Sequence, residues 1–184
     1  MPTARSIVFI QGGGAGAHDD WDARLVDSLR SGLGANYEIF YPRMPHEDDP
    51  TFARWSGAIA RALAEVADGA VVVGHSVGAA ILVHYLAVSP PQRRLAAIML
   101  LAAPFVGAGG WPGEEFELSA GLGAKLPHGV PVQLFHGLDD DTAPPEHLDL
   151  YARAIPHARL HRLPGRDHQL GKDLSEVARA IATV

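Results

Sequence analysis

The residues Gly74-His75-Ser76-Val77-Gly78 carry the most chemistry in this chain. They read G-x-S-x-G. A β-branched run, Val71-Val72-Val73, precedes them and an apolar helical stretch, Ala79 to Val88, follows. A serine on a tight strand-to-helix turn projects its hydroxyl above the sheet edge, and glycines on either side let backbone and helix approach closely. The first N–H groups of the following helix lie where an oxyanion would form. The chemistry such a serine could do is nucleophilic attack on an acyl carbon. A hydroxyl is a weak nucleophile at neutral pH, so it needs a base, and the base needs a partner that fixes its tautomer and supports its charge.

Two later segments offer those groups. The run Val132–His136 leads into Gly137-Leu138-Asp139-Asp140-Asp141-Thr142-Ala143-Pro144, and Arg159–Arg162 leads into Leu163-Pro164-Gly165-Arg166-Asp167-His168. Each also has a plainer reading. The three aspartates suit a solvated turn or a helix cap, and His168 with Asp167 suits the start of a surface helix. The chain order serine, acid, histidine, each just past a strand, favours a catalytic grouping. Among the other histidines, His75 adjoins the serine but its backbone position directs it away from the hydroxyl. His84 lies within an apolar helix, and His136 ends a strand as a possible supporting group. His157 and His161 flank or occupy the last strand. No H-E-x-x-H or other metal spacing occurs, so no metal or other cofactor is expected. An oxyanion hole needs two donors. The backbone N–H of Val77 is one, and the loop Gln11-Gly12-Gly13-Gly14 after the first strand supplies the second.

The elements that must position these groups follow from periodicity. Strands are expected near Ile7–Gln11, Tyr37–Tyr41, Ala70–Gly74, Ala97–Ala102, Val132–His136 and Arg159–Arg162, several apolar on both faces as in a covered parallel sheet. Trp21, Leu25 and Leu29 recur at spacing four. Phe52, Trp55, Ile59, Leu63 and Val66 keep the helical pattern, as do Leu170, Leu174, Val177 and Ile181, and all three sets read as core stripes. The alternation predicts a three-layer α/β sandwich with a six-stranded, mostly parallel sheet. The chain of 184 residues reads as one domain, 1–184. The stretch Pro104 to Gly129 breaks the rhythm and is expected to act as a short lid or pocket wall. Its Phe105, Trp111 and Phe116, with Gly12 and His75, are the expected substrate-binding residues, and Met44 is a weaker candidate.

Composition narrows the partners. A net charge of −6 without a basic stripe argues against nucleic acid. The absence of cysteine excludes thiol catalysis and thiolate metal sites. No segment has the length of a membrane span and Met1 to Arg5 lead directly into a strand, so no membrane partner and a cytoplasmic location are expected.

With these motifs in place, the chain resembles the α/β-hydrolase superfamily over nearly its whole length, and most of all its small, capless members. The elbow is Gly74 to Gly78. The superfamily pattern H-G-x-x-D-x-x-V-P aligns with His136 to Pro144, with Ala143 at the valine position, and selects Asp140. The pattern P-G-x-x-H aligns with Pro164 to His168. The usual His-Gly of the oxyanion loop is Gln11-Gly12 here, and position selects Gly13 as the donor. The resemblance implies the sheet order 2-1-3-4-5-6, the first two strands of the full fold being absent. It implies a catalytic set of Ser76, Asp140 and His168 and an oxyanion hole of Gly13 and Val77. The expected function is a serine hydrolase, carboxylesterase-like, that cleaves a small ester or thioester through an acyl-enzyme. Two alternatives stand beside it. One is a non-catalytic binding domain on the same scaffold. The other is an NADP-dependent Rossmann oxidoreductase, suggested by Gly12-x-Gly14-x-x-Ala17 and by Arg43 after the second strand.

Overall fold

The computed structural model describes residues 4–184, so Met1–Thr3 of the N-terminal stretch lie outside the described residues. Six strands form one sheet in the order β2-β1-β3-β4-β5-β6, every pairing parallel. They are β1 Arg5–Ile10, β2 Tyr37–Phe40, β3 Ala70–His75, β4 Leu95–Leu101, β5 Val132–Gly137 and β6 Arg159–Leu163. The expected strands are all present, with ends shifted by one or two residues. The helices are α1 Ala23–Leu33, α2 Phe52–Ala64, α3 Ser76–Val88, α4 Leu122–Lys125, α5 Glu146–Ala154 and α6 Ser175–Ile181.

Strand alternation sorts the core into two halves. Ile7, Phe9, Val71, Val73, Met99 and Phe135 face Leu25 and Leu29 of α1 and Val177 and Ile181 of α6. Val8, Ile10, Val72, Leu100 and Leu134 face Trp55 and Ile59 of α2, Leu82 and Leu86 of α3, and Leu148 and Tyr151 of α5. Central strands with both faces covered must be apolar throughout, and β3 and β5 are buried at every residue. The edge strands β2 and β6 are partly or fully exposed at every residue instead.

The sheet order places the functional loops. Chain direction across the sheet reverses between β1 and β3, and ligands of open α/β sheets bind at the carboxyl ends of strands at such a switch point. The loop after β1 and the turn after β3 both begin there.

Two helical stripes end differently from their pattern. The spacing of Trp21, Leu25 and Leu29 suggests one core stripe, but α1 begins only at Ala23. Residues Ala17–Asp22 form a π-helical turn. Its i→i+5 geometry breaks the 3.6-residue period, so Leu25 and Leu29 are buried while Trp21 is 54% exposed. At the C-terminus, Leu170 lies in a 3₁₀ turn, Leu170–Lys172, before α6, yet it packs with Leu174, Val177 and Ile181 in the same core half.

Candidate active site

Ser76 begins α3 with φ at +53°, in the left-handed region. A non-glycine residue held there is strained, and such strain persists where the surroundings over-determine the turn. Here they do. A Cβ on Gly74 would lie 2.7 Å from the Ala79 Cα, and one on Gly78 would lie 1.9 Å from the Gln11 carbonyl oxygen. The helix therefore packs directly on β1 and β3 through two residues that have no side chain, and the serine hydroxyl is directed out of the turn.

His168, in the loop after β6, places its Nε2 2.8 Å from the Ser76 Oγ. Its Nδ1 donates to the Asp140 Oδ2 at 2.8 Å. The other Asp140 oxygen accepts from the backbone N–H groups of Thr142 and Ala143, each at 2.9 Å, which fixes the carboxylate plane. The buried His136 lies beneath. Its Nε2 donates to the Ala143 carbonyl at 2.7 Å and stands 3.3 Å from Asp140 Oδ2. Burial disfavours a charge on Asp140, but hydrogen bonds from His136 and His168 outweigh it and hold the carboxyl well below the usual carboxylate range. Asp140 is thus a permanent anion at neutral pH, able to stabilise an imidazolium at 168.

The loop after β1 lies across the elbow. A Cβ on Gly13 would lie 2.9 Å from Val77 Cγ1 and 2.6 Å from Pro50, so the Gly13 backbone sits against the residue after the serine. Among the described residues, neither the Gly13 nor the Val77 N–H has a hydrogen-bond partner. Glu47 holds the rest of the loop. Its carboxylate accepts from Gln11 Nε2 at 2.8 Å and from the Gly16 and His18 backbone N–H groups, both at 3.0 Å. A dinucleotide pyrophosphate would need those same N–H groups. Arg43, the residue suited to a 2′-phosphate, is paired with Asp19 and Glu47. Both observations count against the oxidoreductase alternative.

A cleft of about 110 Å³ opens over the serine, lined by Gly12, Gly13, Gly14, Ala17, Trp21, Asp22, His75, Ser76, His168 and Gln169. Gly12 and His75 thus border the cleft. The aromatic residues of the expected pocket wall do not, and this corrects the expectation for Phe105, Trp111 and Phe116. Phe105 is buried, with its ring edge-on to Tyr151. Trp111 stands edge-on to His147, and Phe116 stacks on His84 beside Phe52. Met44 is buried too, its N–H donating to Gln11 Oε1 at 2.9 Å. The segment 104–129 is tied down by its own bonds, including Trp111 N–H to Phe105 O at 2.8 Å and Leu118 N–H to Val106 O at 2.7 Å.

Sequence reasoning passed over Trp21, Asp22 and Gln169. Trp21 was hidden by its apparent membership of a helical stripe. Asp22 is fully buried and bonded to His75, 53 residues away, a pairing with no local signal. No group of three potential metal-ligating side chains occurs among the described residues. Nor, among them, is any helix long and apolar enough to cross a membrane.

A parallel sheet with its nucleophile turn at the switch point, and acid and histidine on the loops after the fifth and sixth strands, is the plan of an α/β-hydrolase. The chain belongs to the serine hydrolase family, whose model matches residues 8–170. Solved structures agree in fold. The ydeN gene product of Bacillus subtilis is 15% identical, covering 98% of this chain and 100% of its own, with a TM-score of 0.75. A YdeN-like hydrolase from Pectobacterium atrosepticum is 19% identical over 97% of this chain and 92% of its own, with a TM-score of 0.68. Est1E from Butyrivibrio proteoclasticus, solved with ferulic acid bound, is 16% identical over 98% and 88%, with a TM-score of 0.69. No curated protein matches the chain in sequence.

Proposed function

We propose that this hydrolase cleaves small carboxylic esters or thioesters through an acyl-enzyme on Ser76. The observation that carries the reading is the continuous relay from Asp140 through His168 to the Ser76 hydroxyl, with both links at 2.8 Å. His168 Nδ1 donates to Asp140, so Nε2 bears the lone pair and can take the serine proton as the hydroxyl oxygen attacks the acyl carbon. The developing oxyanion meets the unpaired N–H groups of Val77 and Gly13, and loss of one such donor typically raises the barrier by about 3 kcal/mol. His168 then returns its proton to the leaving oxygen or sulfur. Water enters, gives a proton to His168, and attacks the acyl carbon; as the bond from that carbon to Ser76 Oγ breaks and the acid leaves, His168 returns the proton to Ser76 Oγ, 2.8 Å away. A cleft of 110 Å³ suits a short acyl group. The reaction needs no resident cofactor, and the substrate is a small molecule.

The test is chemical. The protein is expected to take one fluorophosphonate label, on Ser76, and to release p-nitrophenol from p-nitrophenyl acetate. A protein that neither labels nor turns over, while correctly folded, removes the catalytic reading and leaves the non-catalytic binding domain.

Trp21 supplies the one large apolar surface of the cleft. We expect Trp21→Ala to raise KM by up to about tenfold, equivalent to 1.4 kcal/mol of lost contact, with a smaller change in kcat. Trp111→Ala should leave KM where it was. Steady-state kinetics on acetate and butyrate esters checks both.

A further inference from the structure

Behind the relay lies a second histidine–aspartate pair. His75 and Asp22 are each 1% exposed. His75 Nδ1 lies 3.0 Å from Asp22 Oδ2, and His75 Nε2 lies 3.0 Å from the main-chain carbonyl oxygen of His168. Asp22 Oδ2 also accepts the Gly12 N–H at 2.6 Å. The pair thus touches both halves of the machinery: the loop that carries Gly13 and the residue that carries the base.

The protons on His75 follow from its partners. A carboxylate oxygen and an amide carbonyl oxygen are both acceptors, so each ring nitrogen must carry a hydrogen for both bonds to exist. Only the imidazolium does. Resting on the hydrolase reading above, we propose that His75 and Asp22 are positioning residues, a buried imidazolium–carboxylate brace that locks the Gly12–Gly13 loop and the His168 backbone in register with Ser76. Neither side chain takes part in proton transfer to substrate.

Local structure supports the assignment. Asp22 ends the π-helical turn Ala17–Asp22, and such turns are frequent at functional sites. Here the turn brings the carboxylate beneath the glycine loop. A Cβ on Gly12 would meet His75 Nδ1 at 3.1 Å, Ser76 Cβ at 3.2 Å and Asp22 Oδ2 at 3.6 Å, so this glycine leaves the space through which the brace reaches the elbow. The charged groups facing His75 are the Asp22 carboxylate and, further off, Asp140, with the His168 ring tilted against it at 5.2 Å between centroids. Burial disfavours the cation, but the charge and hydrogen bond of Asp22 outweigh it and raise the His75 pKa above the usual imidazole value. The brace is accordingly complete below that ordinary value. It is lost as pH rises through the raised one, when a ring nitrogen becomes an acceptor facing an acceptor.

The experiment reads the brace with and without substrate. In protein labelled with ¹⁵N-histidine, both His75 nitrogens are expected to carry protons at pH 8, where an ordinary imidazole is neutral. Asp22→Asn should remove one of those protons at the same pH. It should also lower kcat on p-nitrophenyl acetate on the order of 10²-fold with little change in KM, and shift the high-pH limb of the rate profile downward. A native His75 bearing a single ring proton at pH 8 overturns the proposal, as does an Asp22→Asn protein with the native pH profile. The nitrogen spectrum needs no turnover. Failure of Ser76 to label would remove the hydrolase reading, and a singly protonated His75 in a labelling-competent protein would remove the brace alone.

Discussion

Asp140→Asn is expected to lower kcat on p-nitrophenyl acetate about 10⁴-fold while the protein stays folded. The argument is one of tautomers. Asp140 Oδ1 accepts from two backbone N–H groups, so the asparagine must turn its carbonyl oxygen toward Thr142 and Ala143. Its NH₂ then faces His168 Nδ1, which the native carboxylate holds as a donor. To avoid two opposed donors, His168 places its proton on Nε2, and the nitrogen facing Ser76 has no lone pair with which to take the serine proton. The variant also loses the anion that stabilises the imidazolium. Ser76→Ala should remove turnover at least as completely, and Ser76→Ala/Asp140→Asn should be no worse than Ser76→Ala, because residues acting as one unit are not additive. Thermal melting beside the kinetics separates chemistry from folding. An Asp140→Asn protein with a native melting point and native kcat would show that the relay is not used.

The physical source of each signal decides how much of this could be read from sequence. The six strands were legible because central parallel strands are covered on both faces, which forces unbroken runs such as Val71-Val72-Val73. The groups at 76, 140 and 168 were legible because each lies on the turn or loop that follows a strand, with glycines or prolines around it. Trp21 was not, since a π-helical turn leaves no mark in a spacing-four pattern that continues correctly through Leu25 and Leu29. The aromatics of 104–129 were misplaced for a related reason. An aromatic ring in a glycine-rich loop serves equally as pocket wall or as anchor. Only partners distant in sequence, His84, His147 and Tyr151, show that Phe116, Trp111 and Phe105 are anchors. Glu47 and Asp22 also act at a distance, Asp22 accepting the Gly12 N–H and Glu47 those of Gly16 and His18, and a lone carboxylate in a loop announces no such role.

The largest stability effect should come from a single methyl group. Gly78→Ala would place its Cβ 1.9 Å from the Gln11 carbonyl oxygen, 2.9 Å from that carbonyl carbon and 3.3 Å from Ile10 Cγ2. None of these can yield cheaply. Gln11 directly follows β1, which is hydrogen-bonded on both sides, and its side chain is held by Glu47 and by the Met44 N–H. Relief requires α3 to lift from the sheet, and α3 buries Ile81, Leu82, Val83 and Leu86 against it. Overpacking of this kind in a close-packed interior costs about 1–3 kcal/mol when side chains can adjust. Here the obstacle is backbone, so a loss of about 4 kcal/mol or more is expected, within the range reserved for a few severe mechanisms. The measurement is urea denaturation of Gly78→Ala against native protein and against Gly121→Ala, where an added Cβ meets nothing within 4 Å. Any Gly78→Ala protein that remains folded should also label slowly at Ser76, because the displaced helix carries the nucleophile and the Val77 N–H with it. A Gly78→Ala protein as stable as Gly121→Ala would mean that the contact between α3 and β1 is looser than its geometry states.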